Sequence, residues 1–203
     1  MSIDIFGSEP EGSTPLKDED YFGLKPKWVA TRDDLNQAEA QNILVASEKY
    51  LRTPLDAKTI LDDHFVRKLH ADMYSRVWNW AGTYRTVETS IGIEPRLISE
   101  SVFTLMQNAR LWVAEMTPSA IDVVVCEIHH KLVQIHPFRN GNGRMSRMFA
   151  DLLLISLGQP AFSWGGGTEL ETASSARTMY ISALRKADAG DLSTLLSFMR
   201  HRV

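Results

Sequence analysis

The chain has 203 residues, 44% hydrophobic and 23% charged, which suits one globular domain with a sizeable core. A net charge of −3 excludes a general electrostatic pull toward nucleic acid or anionic membrane, so direct nucleic-acid binding is not expected and any phosphate binding has to be local. A lone cysteine, Cys126, excludes a disulfide framework and fits a reducing, cytoplasmic setting, and no apolar run approaches the ~18 residues of a membrane span.

Residues 1–30 carry six acids against three lysines, with three of the eight prolines, and read as an extended N-terminal arm, Trp28 and Val29 pinning its end. The remainder, 31–203, is formally neutral and reads as one helical domain. Thr31-Arg32-Asp33-Asp34 resembles a capping box and predicts a helix over 31–51. A second helix is expected over 57–76, with Ile60, Leu61, Phe65, Val66, Leu69 and Met73 on its apolar face. Residues 82–95, rich in β-branched side chains between Gly82 and Pro95, read as a small β-hairpin or extended flap, the alternative being an irregular loop. The hairpin reading offers a strand edge to a substrate peptide.

A helix near 99–116 follows. Thr117-Pro118 then opens a helix whose apolar face is Ile121, Val125, Ile128, Leu132 and Ile135, ended by Pro137. Another helix runs from 141–142 to 157. Thr168-Glu169-Leu170-Glu171 reads as a capping box for a helix to about 189, and Asp191 caps a short final helix. The fold class is therefore mainly α, a helical bundle with one small β-hairpin flap.

The chemistry concentrates at residues 136–147, inside a stretch (127–151) of local charge +2. Gly141-Asn142-Gly143 leads into a helix, where glycine backbone and first-turn N–H groups form an anion-binding nest. Arg144 and Arg147, three positions apart, project from one stripe of that helix and can clamp phosphate oxygens. Asp151, at i+4 from Arg147, offers that arginine a purely structural partner instead. His136, just before the nest, is placed to take a proton from a hydroxyl attacking a bound phosphate. Phe138 is an apolar anchor in a polar loop. Glu127-x-x-His130 has the spacing of half a di-iron motif, but no second half exists, so a solvated helix face is the better reading.

His136, Phe138, Gly141, Asn142, Gly143, Arg144 and Arg147 together resemble the Fic (Fic/Doc) motif His-x-Phe-x-(Asp/Glu)-Gly-Asn-Gly-Arg-x-x-Arg, with Asn140 in the acidic place. Trp80-Ala81-Gly82-x-x-Arg85 resembles the lead-in to that family's flap, so the likeness spans roughly residues 60–200. Asn140, Pro137, Ser13-Thr14-Pro15-Leu16 and Thr31-Arg32-x-x-Leu35-Asn36 are most similar to the mobile mystery protein B subgroup, which implies a small helix-turn-helix partner protein.

The resemblance implies transfer of AMP or another nucleotide moiety from ATP or a related triphosphate to a Ser, Thr or Tyr hydroxyl of a target protein. It implies His136 as general base, Gly141, Asn142, Gly143, Arg144 and Arg147 as phosphate ligands, and Ile91, Gly92 and Ile93 as the target-docking flap. The family's acidic residue holds Mg²⁺, so Asn140, with a neutral oxygen, implies a weakly held ion. Two alternatives stay open: a weakly active or inactive Fic protein acting as a nucleotide- or partner-binding module, toxin–antitoxin-like in setting, and a protein phosphotransferase. The family's inhibitory (Ser/Thr)-x-x-x-Glu-(Gly/Asn) helix has no match in the chain.

Overall fold

The computed structural model describes residues 21–53, 55–166, 170 and 174–201. The 1–20 part of the expected arm, and Thr168, Glu169 and Glu171 of the expected capping box, lie outside these residues. Among them the chain forms eight α-helices: α1 (Arg32–Arg52), α2 (Ala57–Ile60), α3 (Asp63–Tyr74), α4 (Ile98–Glu115), α5 (Ile121–Ile135), α6 (Asn142–Ser156), α7 (Ser175–Asp188) and α8 (Ser193–Arg200).

Local chemistry sets the helix starts. Thr31 accepts from the Asp34 amide while Asp34 accepts from the Thr31 amide, the reciprocal box expected for α1. Ser174 caps α7 by accepting from the Arg177 amide. Asp191 takes the Ser193 amide at 2.9 Å ahead of α8. The helix expected over 57–76 is broken at Leu61–Asp62. Asp62 caps α3 through the His64 amide, and Arg110 of α4 holds both the Leu61 carbonyl (2.7 Å) and the Asp62 carboxylate (3.0 Å). A side chain 49 positions away thus removes the carbonyl that a continuous helix would have used.

Helices α5 and α6 form the centre of the molecule, with α4 against α5, α3 against α6, and α8 closing on α5. The stripe Ile121, Val125, Ile128, Leu132 and Ile135 is buried as its spacing predicts. Helix α1 packs on α3. The chain before it is held by the Lys25 amide on the Val77 carbonyl and the Asn79 amide on Gly23, and by Val29, which is buried, whereas Trp28 is 55% exposed.

The flap departs from expectation. Residues 82–95 form no β-ladder; they run as an extended loop closed by the 3-10 turn Pro95–Leu97. The physical reason is that its backbone partners lie elsewhere. The Arg85 amide donates to Pro137 (2.9 Å) and the Ile93 amide to Ile135 (3.4 Å), so the two limbs grip the end of α5 rather than each other.

Candidate active site

His136 ends α5 in the left-handed region (φ 53°, ψ 62°), a conformation that side chains other than glycine's disfavour. This turn throws the chain off the helix axis and opens the loop 137–141. Gly141 (φ 78°) then turns it back into α6. A Cβ at Gly141 would lie 2.6 Å from the Tyr74 ring, so both conformation and space require glycine there.

Two side chains hold the loop between these turns. Asn142, 2% exposed, accepts from the Phe138 amide and donates to the Phe138 carbonyl, both at 2.8 Å. Its side chain thus shapes the loop, and its backbone N–H lies in the first turn of α6. Phe138 is fully buried and stacks on His70 of α3 with centroids 3.8 Å apart. His70 accepts the Gly82 amide at Nδ1 (2.9 Å), so its proton sits on Nε2, which faces the Asn140 carbonyl at 3.0 Å. Burial pushes the His70 pKa down to about 3, keeping this tautomer neutral.

The first-turn N–H groups of α6 (Asn142, Gly143, Arg144) have no acceptor within the helix and face the loop mouth together with the helix dipole. Arg147 folds back over them: a Cβ at Gly143 would lie 3.6 Å from its Nη1, and its guanidinium sits 5.7 Å from the Tyr180 ring centroid. Asp151 accepts from the Phe162 amide (3.0 Å) and the Trp164 indole (2.9 Å) and also feels the charge of Arg147, which keeps a structural role for that arginine beside the phosphate one. Arg144 lies over Tyr74 and pairs with Glu39 of α1 at 2.7 Å. Glu39 also accepts the Trp78 indole N–H at 2.7 Å.

The His136 imidazole is 6% exposed. Burial, then the positive charge of Arg85, lower its pKa to about 4 against a hydrogen bond to the Val133 backbone, so at neutral pH it is uncharged and able to accept a proton. Ile91, Gly92, Ile93, His136, Asn140–Arg144 and Arg147 all border one cleft of about 1240 Å³, walled on the far side by α1 and α7. That space exceeds what a single nucleotide fills.

The loop suits Mg²⁺ poorly. The Asn140 side-chain oxygen already accepts the Gly141 amide (2.6 Å) and lies 3.3 Å from Arg144 Nη2. Glu39, a carboxylate bordering the cleft, is engaged with Arg144 and Trp78. A hard divalent ion that seeks carboxylate oxygen therefore finds one neutral, occupied donor in this loop.

Glu127 pairs with Lys131 (2.9 Å) and His130 with Asp188 (2.8 Å), which accounts for the apparent half-motif. Sequence reasoning did not single out Glu39 or His70. Each sits on a helix stripe that is otherwise buried, beside Leu35, Asn42 and Ala46 in α1 and beside Val66, Leu69 and Met73 in α3. A titratable residue on such a stripe needs a partner, and that was the available signal.

A central buried helix ending in a left-handed histidine, and the N-terminus of a second buried helix with two arginines, border one cleft of a mainly helical domain. The family model for the Fic/DOC family matches residues 60–154, and the chain belongs to that family. It is similar to protein adenylyltransferase fic-1 of Caenorhabditis elegans, 28% identical over 121 residues, 59% of this chain and 22% of that protein. It is also similar to a Fido domain-containing protein of Dictyostelium discoideum, 36% identical over 83 residues, 39% of this chain and 57% of that one. The chain thus spans about a fifth of the nematode relative's length and just over half of the amoebal one's. Among solved structures, the BepC protein of Bartonella tribocorum with bound AMPPNP superposes with a TM-score of 0.67 at 17% identity, covering 96% of each chain. The N-terminal Fic domain of a Bartonella quintana effector with bound ADP gives 0.69 at 17%, covering 95% and 92%. At such identities the likeness speaks for the fold.

Proposed function

We propose that this chain transfers a nucleotide moiety, AMP in the first instance, from a nucleoside triphosphate to a Ser, Thr or Tyr hydroxyl of a protein. The observation that carries the reading is the shared cleft: a neutral His136 at one end, and the α6 N-terminus with Arg144 and Arg147 at the other. The acceptor oxygen attacks the α-phosphorus, its proton passes to His136, and the bond to the departing pyrophosphate breaks. The N–H groups of α6 and the two guanidiniums stabilise the charge on the phosphates, and the flap at Ile91–Ile93 lines the acceptor up beside the base. Relatives named as adenylyltransferases, and Fic-fold neighbours holding AMPPNP and ADP, support a triphosphate donor.

The test is labelling of the chain itself and of lysate proteins with α-³²P-ATP, beside His136→Ala. Label that depends on His136 supports the reading; label that survives the substitution rejects His136 as the required base. A γ-labelled donor distinguishes phosphate transfer. One observation favours a second reading, nucleotide binding with slow or no transfer: Arg144 is tied to Glu39, and the metal position is a neutral, occupied Asn140.

A further inference from the structure

We infer that Arg85 is a positioning residue that holds the His136 turn and the flap in register, so that base and acceptor meet at a fixed spacing. The inference rests on the transfer reading above.

Arg85 is 1% exposed, and its hydrogen bonds run to main-chain carbonyls rather than to a carboxylate. Nε donates to the His136 carbonyl (2.7 Å), Nη1 to Val87 (3.0 Å), and Nη2 to Ile93 (2.5 Å) and, at longer range, to Ile135 (3.5 Å). Glu88 acts on it through its charge. Three pieces of chain therefore meet on one planar group: the outgoing limb of the flap, its returning limb, and the last turn of α5.

The bond to the His136 carbonyl has a particular consequence. His136 is in a left-handed conformation followed by proline, so the orientation of the 136–137 peptide decides where the imidazole points. Arg85 Nε fixes that peptide. The returning limb then passes over the same residue without slack: a Cβ at Gly92 would fall 2.6 Å from Arg85 Nη2 and 2.6 Å from His136 Cβ. Beyond Arg85's side chain, the backbone bonds that join flap to helix end are those from the Arg85 and Ile93 amides, and the second is long at 3.4 Å. Lacking a ladder of its own, the flap takes its spacing from the guanidinium.

Arg85 is not among the residues that border the phosphate cleft. A general structural clip and a register device therefore differ in what they disturb. Loss of a clip loosens everything; loss of register moves the base and flap while the α6 nest keeps its shape through Asn142 and His70.

The experiment uses the full chain as Arg85→Ala and Arg85→Lys. Binding of ATP is measured by calorimetry, self-labelling with α-³²P-ATP gives kcat and nucleotide KM, and the His136 ring is followed by NMR. Expected are ATP affinity and nucleotide KM within about twofold of wild type, a kcat lower by about tenfold or more, and His136 ring signals that double or broaden while those of His70 and His129 stay in place. Methylguanidinium added to Arg85→Ala should restore the single His136 signal and part of the rate; Arg85→Lys, which keeps the charge without the planar fork, should show the same split in milder form. An unchanged His136 signal in both variants, or equal loss of ATP affinity and rate, overturns the inference. If the wild-type chain transfers no nucleotide, the transfer reading fails, while the His136 signal and ATP affinity still decide whether Arg85 sets the register. Should Arg85→Ala not fold, Arg85→Lys alone decides by the same signals.

Discussion

The carboxylate of Glu39 holds Arg144 at 2.7 Å, so the first arginine of the proposed phosphate site is already engaged by an anion supplied by α1. A phosphate arriving at the α6 N-terminus must share this arginine or displace the carboxylate. Glu39→Gln keeps an acceptor for the Trp78 indole and removes the competing charge. The expected outcome is ATP binding about three- to tenfold tighter, in line with one charge-assisted hydrogen bond changing partner. Calorimetry measures it; binding that is unchanged or weaker would show that Glu39 serves to present Arg144 and not to compete for it.

Asn140 can be changed without dismantling the loop, because aspartate still accepts from the Gly141 amide and Arg144. Asn140→Asp should raise labelling about tenfold at limiting Mg²⁺ and bring a saturable dependence on the ion, since a carboxylate is the donor Mg²⁺ seeks. No gain at limiting Mg²⁺ would sink the idea that the neutral residue weakens metal binding.

Asn142→Ala should cost about 2–4 kcal/mol of stability, because it leaves the buried Phe138 N–H and carbonyl without their partner. Asn142→Asp keeps the acceptor but sets a buried carboxylate oxygen against the Phe138 carbonyl, and at neutral pH should cost at least as much as Ala in unfolding by urea. A loss near zero for Ala would mean that water replaces the amide and that the loop does not depend on it.

Stability should fall with acid between pH 6 and pH 4. Buried His70 and His129 have pKa values lowered to about 3 and His136 to about 4, all below the ordinary 6.5. In this window the unfolded chain binds protons at these three positions that the folded chain refuses, so stability present above pH 6.5 is lost as the pH drops. Asp151 opposes them: burial raises it to about 6, so the folded form takes its proton first. Three histidines against one aspartate leave a net uptake on unfolding, and the expected slope is on the order of 2 kcal/mol per pH unit. Urea midpoints across this range check it; a flat profile would mean that these rings reach water.

What could be read from the sequence follows the range of the interactions involved. The α5 stripe, the Thr31 box and the Gly141-Asn142-Gly143 nest are set by residues within a few positions of each other, and periodicity or motif exposes them. The break before α3 depends on Arg110, and the shape of the flap depends on the carbonyls of 135–137, both distant along the chain. The hold of the Asn142 amide on both backbone groups of Phe138 is likewise invisible to the motif, because motif position says nothing of where an amide points. The pairing of Glu39 with Arg144 joins residues 105 positions apart, and only the fold brings them together.

The left-handed backbone at His136 carries a cost that chemistry, not folding, explains. Holding a non-glycine residue there disfavours the native state by about 1–2 kcal/mol, which glycine would recover at the backbone and asparagine in part. On the transfer reading, activity and stability pull this position in opposite directions, and a lineage that stopped using the imidazole would be expected to drift toward glycine or asparagine at 136.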